Sequence, residues 1–194
     1  MVQDEAKLLH RAKEGDGQAF AGLVEPCLDQ AYRLVLRLAG DPGEAEDALQ
    51  EALYKAWRAL PRFRGDARFA TWLYRIVYRV AVDRARKAKP LPVDDARLLD
   101  AAGSHDPAAA AWYDPESRWE GVEAQRELEA ALQKLPPSYR AALTLYYVEG
   151  LTVRDIAGVL DVPVGTVKTH LHRARQALKR ELGKERGGEG VWTR

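Results

Sequence analysis

Apolar residues recur along this chain at intervals of three and four, the spacing that lines side chains along one face of an α-helix. The pattern predicts helices over residues 4–14 and 17–39, the second with Phe20, Leu23, Val24 and Leu28 on one stripe. Gly40-Asp41-Pro42-Gly43 interrupts it. A third helix runs from about Glu44 to Leu60 and stops before Pro61. Its buried stripe is Ala45, Ala48, Leu49, Ala52, Leu53, Ala56 and Leu60, with Trp57 at the edge. Residues 62–66 read as a loop, and 67–88 as a long, basic, aromatic-rich helix. Helical spacing resumes over 115–135, 138–149, 152–160 and 164–184, with pauses at Pro136-Pro137 and Gly150. No alternating run signals a strand, and no repeat of 20–50 residues is present. The predicted class is all-α.

The pattern also divides the chain. Composition shifts at Lys89-Pro90-Leu91-Pro92, and the stretch that follows is rich in Ala, Asp, Pro and Gly. This predicts two small helical domains, 1–89 and 115–186, joined by a flexible acidic linker over 90–114 and followed by a loose tail over 187–194. The single cysteine, Cys27, excludes an internal disulfide and a cysteine-rich zinc site. There is no run of 18 apolar residues, and the charged N-terminus is not a signal peptide. The expected setting is the cytoplasm, with no membrane contact.

The 194 residues carry 30 Lys+Arg against 29 Asp+Glu, a net charge of only +1, but the charge is unevenly placed. Residues 66–89 are net +5 and 151–194 net +4, while 90–135 are net −6. Two separate basic blocks suit two contacts with a polyanion, since each neutralised phosphate releases counterions.

The second block has helix-turn-helix layout. In residues 151–178, Thr152 can cap the first helix with Asp155 in its first turn, and Ile156, Ala157 and Leu160 form its buried face. Asp161-Val162-Pro163 makes the turn. Val164, Val167, Leu171, Ala174 and Leu178 then form one stripe. Thr169, His172, Arg173 and Gln176 fall opposite it, flanked by Thr166 and Lys168. A polar, basic face near a helix N-terminus fits a recognition helix in a major groove. Arg175 lies nearer the apolar edge and suits a phosphate contact or an internal pairing. His170 and His172 face different ways, which excludes them as a pair of metal ligands.

The first block interleaves Phe69, Trp72, Tyr74 and Tyr78 with Arg68, Arg75, Arg79, Arg84 and Arg86. Stacking rings with cations are what unpaired bases and their phosphates need. Trp72, Ile76, Val80 and Asp83 share one helical row, so each ring is as much a core candidate as a DNA contact. In the preceding helix, Asp47, Gln50, Glu51, Tyr54 and Arg58 face away from the apolar stripe. That face suits a basic protein helix, against the commoner role of a solvated surface.

Taken together, AEDALQEALYKAW (45–57), FRGDARFATWLYRIVYRVAVDRAR (63–86), LPPSYRAALTLYYVEGLTVRDIA (135–157) and VPVGTVKTHLHRARQAL (162–178) resemble the sigma factors of bacterial RNA polymerase. The resemblance is to the extracytoplasmic-function group of the sigma-70 family and spans about residues 17–183. It implies that Asp47, Gln50 and Glu51 contact the clamp helices of the largest polymerase subunit, and Tyr54 joins them as a candidate on the same face. It implies that the segment from Arg62 to Trp72 opens the −10 promoter element and holds its non-template bases; the −10 candidates are Arg64, Phe69, Trp72, Arg75, Tyr78 and Arg79. It implies that Thr166, Lys168, Thr169, His172 and Arg173 read the −35 element as duplex, and the polar face adds Gln176 to that set. Arg79 stands where the family often has Asn, and Tyr78 where a small or basic residue is common. Family linkers run near the subunit at the RNA exit path, and the linker here carries Trp112, with Trp119 just beyond it. An anti-sigma factor is a further implied partner.

No P-loop, G-x-G-x-x-G, H-E-x-x-H or G-x-S-x-G is present, so no enzyme activity, cofactor or metal is expected. The expected function is promoter-specific transcription initiation. The alternative, a helix-turn-helix regulator of duplex DNA alone, leaves residues 45–86 without a role. A helical adaptor that binds only protein leaves both basic blocks incidental.

Overall fold

A computed structural model describes residues 2–88 and 122–185. The linker expected over 90–114, Trp112, Trp119 and the tail lie outside them. Every regular element among the described residues is helical: α1 (Val2–Lys13), α2 (Gly17–Ala39), α3 (Pro42–Ala59), a 3₁₀ turn (Leu60–Arg62), α4 (Phe69–Ala88), α5 (Val122–Gln133), α6 (Pro137–Leu143), a π-helical turn (Thr144–Val148), α7 (Val153–Leu160) and α8 (Val164–Glu185).

Local chemistry sets the ends. Asp16 caps α2 by accepting from the amides of Gln18 and Ala19, each at 3.0 Å. Asp41 caps α3 by accepting from the Glu44 amide at 3.0 Å, with Pro42 in the first turn. Thr152 caps α7 through the Asp155 amide at 3.2 Å. Gly40 ends α2 at φ +79°, a left-handed conformation that costs glycine little.

In the first half α2, α3 and α4 pack on one another and α1 lies along α2. Leu34, Val35, Leu60, Leu73 and Val77 are fully buried between them. In the second half α8 packs on α6, α7 and α5, around Leu145, Ile156, Val159 and Val167. Residues 138–149 do not form one helix: after α6 the backbone widens to the π-helical turn, where the Glu149 amide donates to Thr144 O at 3.1 Å. Val164 departs from the expected stripe as well. It is 42% exposed, whereas Val167, Leu171 and Ala174 are buried.

The two halves pack together, and their buried apolar residues form one continuous cluster. α7 lies on α4, while α5, α6 and the π-helical turn lie on α2. α7 and α4 come close at Gly158, where an added Cβ would meet the Thr71 methyl at 3.4 Å. Arg140 is buried and donates across the interface to the carbonyls of Arg37 (2.9 Å) and Leu38 (3.2 Å) at the end of α2. Burial lowers its pKa from the ordinary arginine value. Gln133 adds a bond to Arg37 O at 3.0 Å. Its amide crowds Gly40, where a Cβ would lie 3.1 Å from Oε1. Arg33 pairs with Glu149 through two bonds of 3.0 and 3.1 Å, and the Glu149 side chain is 1% exposed. These contacts and the apolar packing hold the halves. The solvent-exposed Arg79–Asp161 pair adds at most about 1 kcal/mol.

Candidate protein and nucleic-acid interfaces

Three surfaces carry the expected chemistry. The first is α3. Ala45, Ala48, Leu49, Ala52 and Ala56 are buried, as their spacing predicts, so Asp47, Gln50 and Tyr54 turn outward and Glu51 is half-buried beside them. Tyr54 is 61% exposed. Arg58 donates to its hydroxyl at 3.2 Å and lies 5.9 Å from its ring centre, which fixes the ring on the surface. Arg84 reaches over from α4 to Glu44, Asp47 and Glu51. The spacing of α3 alone does not show that contact.

The second surface runs from residue 62 through α4. Arg62, Arg64 and Arg68 are exposed. Phe63, Phe69 and Trp72 form an aromatic trio with centroids 5.0–6.3 Å apart, of which only Trp72 is half-exposed. Phe69 is buried beneath it at 3% exposure, so its ring has no open face. Lys13 pins the start of the loop, donating to Phe63 O at 2.6 Å and lying 5.7 Å from that ring centre. Nothing in the spacing of α1 marks that role. Tyr74 is buried and donates to Gln30 Oε1, and burial raises its phenol pKa. Tyr78 is half-buried. Arg75 and Arg79 are both engaged by the second half. Arg75 Nε donates to Gly158 O at 2.5 Å, and Arg79 Nη2 lies 2.7 Å from Asp161 Oδ2.

The third surface is α8. With Val167, Leu171 and Ala174 buried, Lys168 and Gln176 are exposed and Thr166, Thr169, His172 and Arg173 are half-exposed along the same face. Gln176 Nε2 lies 3.0 Å from His172 Nε2, and Thr169 donates back to Gly165 O at 3.1 Å. His170 turns inward onto Tyr139, at 5.3 Å between ring centres. Arg175 donates to the Tyr147 hydroxyl at 3.1 Å, the internal pairing.

Sequence comparison settles the family. The model of "Sigma-70 region 2" matches residues 23–90, and that of "Sigma-70, region 4" matches residues 125–178. The ECF RNA polymerase sigma factor SigW of Bacillus subtilis is 36% identical over 178 residues, covering 91% of this chain and 95% of that protein. The RNA polymerase sigma-H factor of Pseudomonas aeruginosa is 39% identical, covering 93% and 94%. The ECF RNA polymerase sigma-E factor of Escherichia coli K12 is 34% identical, covering 90% and 92%. This chain belongs to the extracytoplasmic-function sigma factors of RNA polymerase.

Two solved structures share the fold of this sigma factor. CnrH, in complex with the cytosolic domain of CnrY, superposes with a TM-score of 0.68 at 24% identity, covering 94% of this chain and 99% of CnrH. The sigma factor RpoE of Bartonella quintana, in complex with the anti-sigma factor NepR, gives 0.62 at 23% identity, covering 84% and 96%. The region 2 match spans most of α2 and all of α3 and α4, and the region 4 match spans α6, α7 and most of α8. The docking and −10 candidates therefore sit in region 2, and the −35 candidates in region 4. No described helix is long and apolar enough to cross a membrane.

Proposed function

We propose that this sigma factor docks on the clamp helices of core RNA polymerase through Asp47, Gln50, Glu51 and Tyr54. Arg64, Trp72, Arg75, Tyr78 and Arg79 then hold the non-template −10 strand, with Phe69 supporting Trp72 from below. Thr166, Lys168, Thr169, His172, Arg173 and Gln176 read the −35 duplex. The observation that carries this reading is the opposition of two open helix faces on one chain. α3 presents carboxylates, an amide and an exposed Tyr, while α8 presents a cation, hydroxyls and an amide. The first suits a basic protein helix and the second suits base edges and phosphates.

No covalent step belongs to this chain, since the nucleotide chemistry is the polymerase's. Its work is differential binding: flipping a base out of the stack costs a few kcal/mol. Stacking on a ring such as Trp72 offsets that by about 1–3 kcal/mol per base, with phosphate contacts added. The packed halves set an order of events. α7 holds Arg75 through Gly158 O, so this side chain reaches the −10 strand only once region 4 has moved off α4, whereas Arg79 has only its solvent-exposed pair with Asp161 to give up. An anti-sigma factor is a further partner of this chain, as it is for the RpoE of Bartonella quintana. The site of action is the cytoplasm.

Reconstitution tests the whole reading. Full-length protein with core polymerase is expected to start transcription at a promoter and to protect both elements in a footprint. A protein that shifts −35 duplex alone, yet directs no initiation with core polymerase, is a duplex-only regulator and overturns it.

A further inference from the structure

Arg84 lies near the end of α4, and its guanidinium crosses to α3. Its Nη2 is 3.1 Å from Glu44 Oε2 and 3.4 Å from Asp47 Oδ2, and its Nη1 is 3.3 Å from Glu51 Oε2. Spaced three and four residues apart, these carboxylates form one row on α3. Lys55 takes the other oxygen of Glu51 at 2.7 Å. The Glu51 carboxyl is held below its ordinary pKa by Lys55 first and by Arg84 after it. The guanidinium is held above its own by Glu44 and then Glu51. Three carboxylates with two cations leave the row net negative. Each carboxylate offers about four acceptor positions, and Arg84 engages one oxygen of each. Glu44 and Asp47 keep 59% and 66% of their side-chain surface in solvent. Arg84 therefore gathers the carboxylates without covering them. Without it, like charges on adjacent turns repel and their rotamers spread.

We infer that Arg84 is a positioning residue for polymerase docking, and that Glu44 extends the docking face by one turn. The fork of Arg84 presents Glu44, Asp47 and Glu51 as one preorganised anionic ridge to a basic helix. This rests on the reading of α3 as the docking face.

The test is the affinity of full-length chain for core polymerase, measured by fluorescence anisotropy. R84Q is expected to weaken binding about tenfold, R84K by less, and E44Q several-fold, with −35 duplex binding unchanged. Double variants separate positioning from general loosening of α3. D47N is expected to cost much less in the R84Q background than alone, because its carboxylate is already misplaced. Y54A, which removes a side chain on the same face that Arg84 does not touch, is expected to cost the same in both backgrounds. R84Q binding as tightly as the parent, or more tightly, overturns the inference, and so does equal coupling to Tyr54. If D47N and Y54A both leave affinity unchanged, the docking reading itself fails, whatever R84Q does.

Discussion

At the scale of single residues, exposure decides which of the −35 candidates can be read out cleanly. Lys168 is exposed and sits one position from the buried Val167, so truncating it removes a contact and leaves the core intact. Lys168→Ala and Arg173→Ala are each expected to weaken −35 duplex binding by about 1–3 kcal/mol where they contact bases. A phosphate contact would instead weaken all duplexes alike and reduce the salt slope by about one. Titration of each variant against cognate and scrambled duplex at several salt concentrations distinguishes the two. Equal binding by the parent and the double variant would remove both residues from the interface. These positions were legible because a helix with a clear apolar stripe leaves its opposite face outside. Phe69 was not legible in that way. Its ring packs against Trp72 and also against Phe63, a loop residue, and no helical period reports a contact from a loop. Lys13 and Arg84 escaped for the same reason: their partners lie on other elements.

At the scale of elements, helix existence and most helix ends were readable because caps are local. Asp41-Pro42 and Thr152 with Asp155 mark the starts of α3 and α7 wherever the helices end up. The packing of α7 on α4 was not readable, because it joins residues some 80 positions apart, as in the bond from Arg75 to Gly158. Gly158 makes that contact testable. An alanine Cβ there meets the Thr71 methyl at 3.4 Å and Arg75 Nη2 at 3.8 Å, which is ordinary contact. Replacing a mid-helix glycine by alanine favours the helix by about 1 kcal/mol. Gly158→Ala is therefore expected to raise the melting temperature with the halves still docked. A leucine has further atoms to place, and both Thr71 and Val159 beside it are buried. Gly158→Leu is expected to separate α7 from α4, seen as a larger radius of gyration in X-ray scattering of the full chain. An unchanged radius would mean that α7 can accommodate the side chain by sliding, and that its place on α4 is not fixed by this close approach.

At the scale of the whole molecule, one continuous apolar cluster joins two halves that must contact promoter elements on either side of a spacer. The same residues that would hold the −10 strand contact region 4 here: Gly158 O and Asp161 Oδ2 offer Arg75 and Arg79 what phosphate oxygens would. If these side chains hold the strand, strand and α7 compete for them, and the apparent affinity of the free chain for −10 single strand is scaled down to its open fraction. The α8 face, by contrast, keeps Lys168 and Gln176 in solvent in the packed arrangement, so the proposed −35 contact by these residues would need no opening. A variant that opens the chain should then strengthen one interaction and leave the other alone. Gly158→Leu is expected to bind a −10 non-template oligonucleotide about tenfold more tightly than the parent, the gain for a parent open about a tenth of the time. Its −35 duplex affinity should match the parent's. Adding Arg75→Ala to the opened chain should reduce the gain, because the competition is for that side chain. If scattering shows Gly158→Leu open while its −10 affinity equals the parent's, α7 does not mask the −10 surface. Core polymerase, which has to place region 2 and region 4 on separate promoter elements, would then not act by uncovering Arg75 and Arg79.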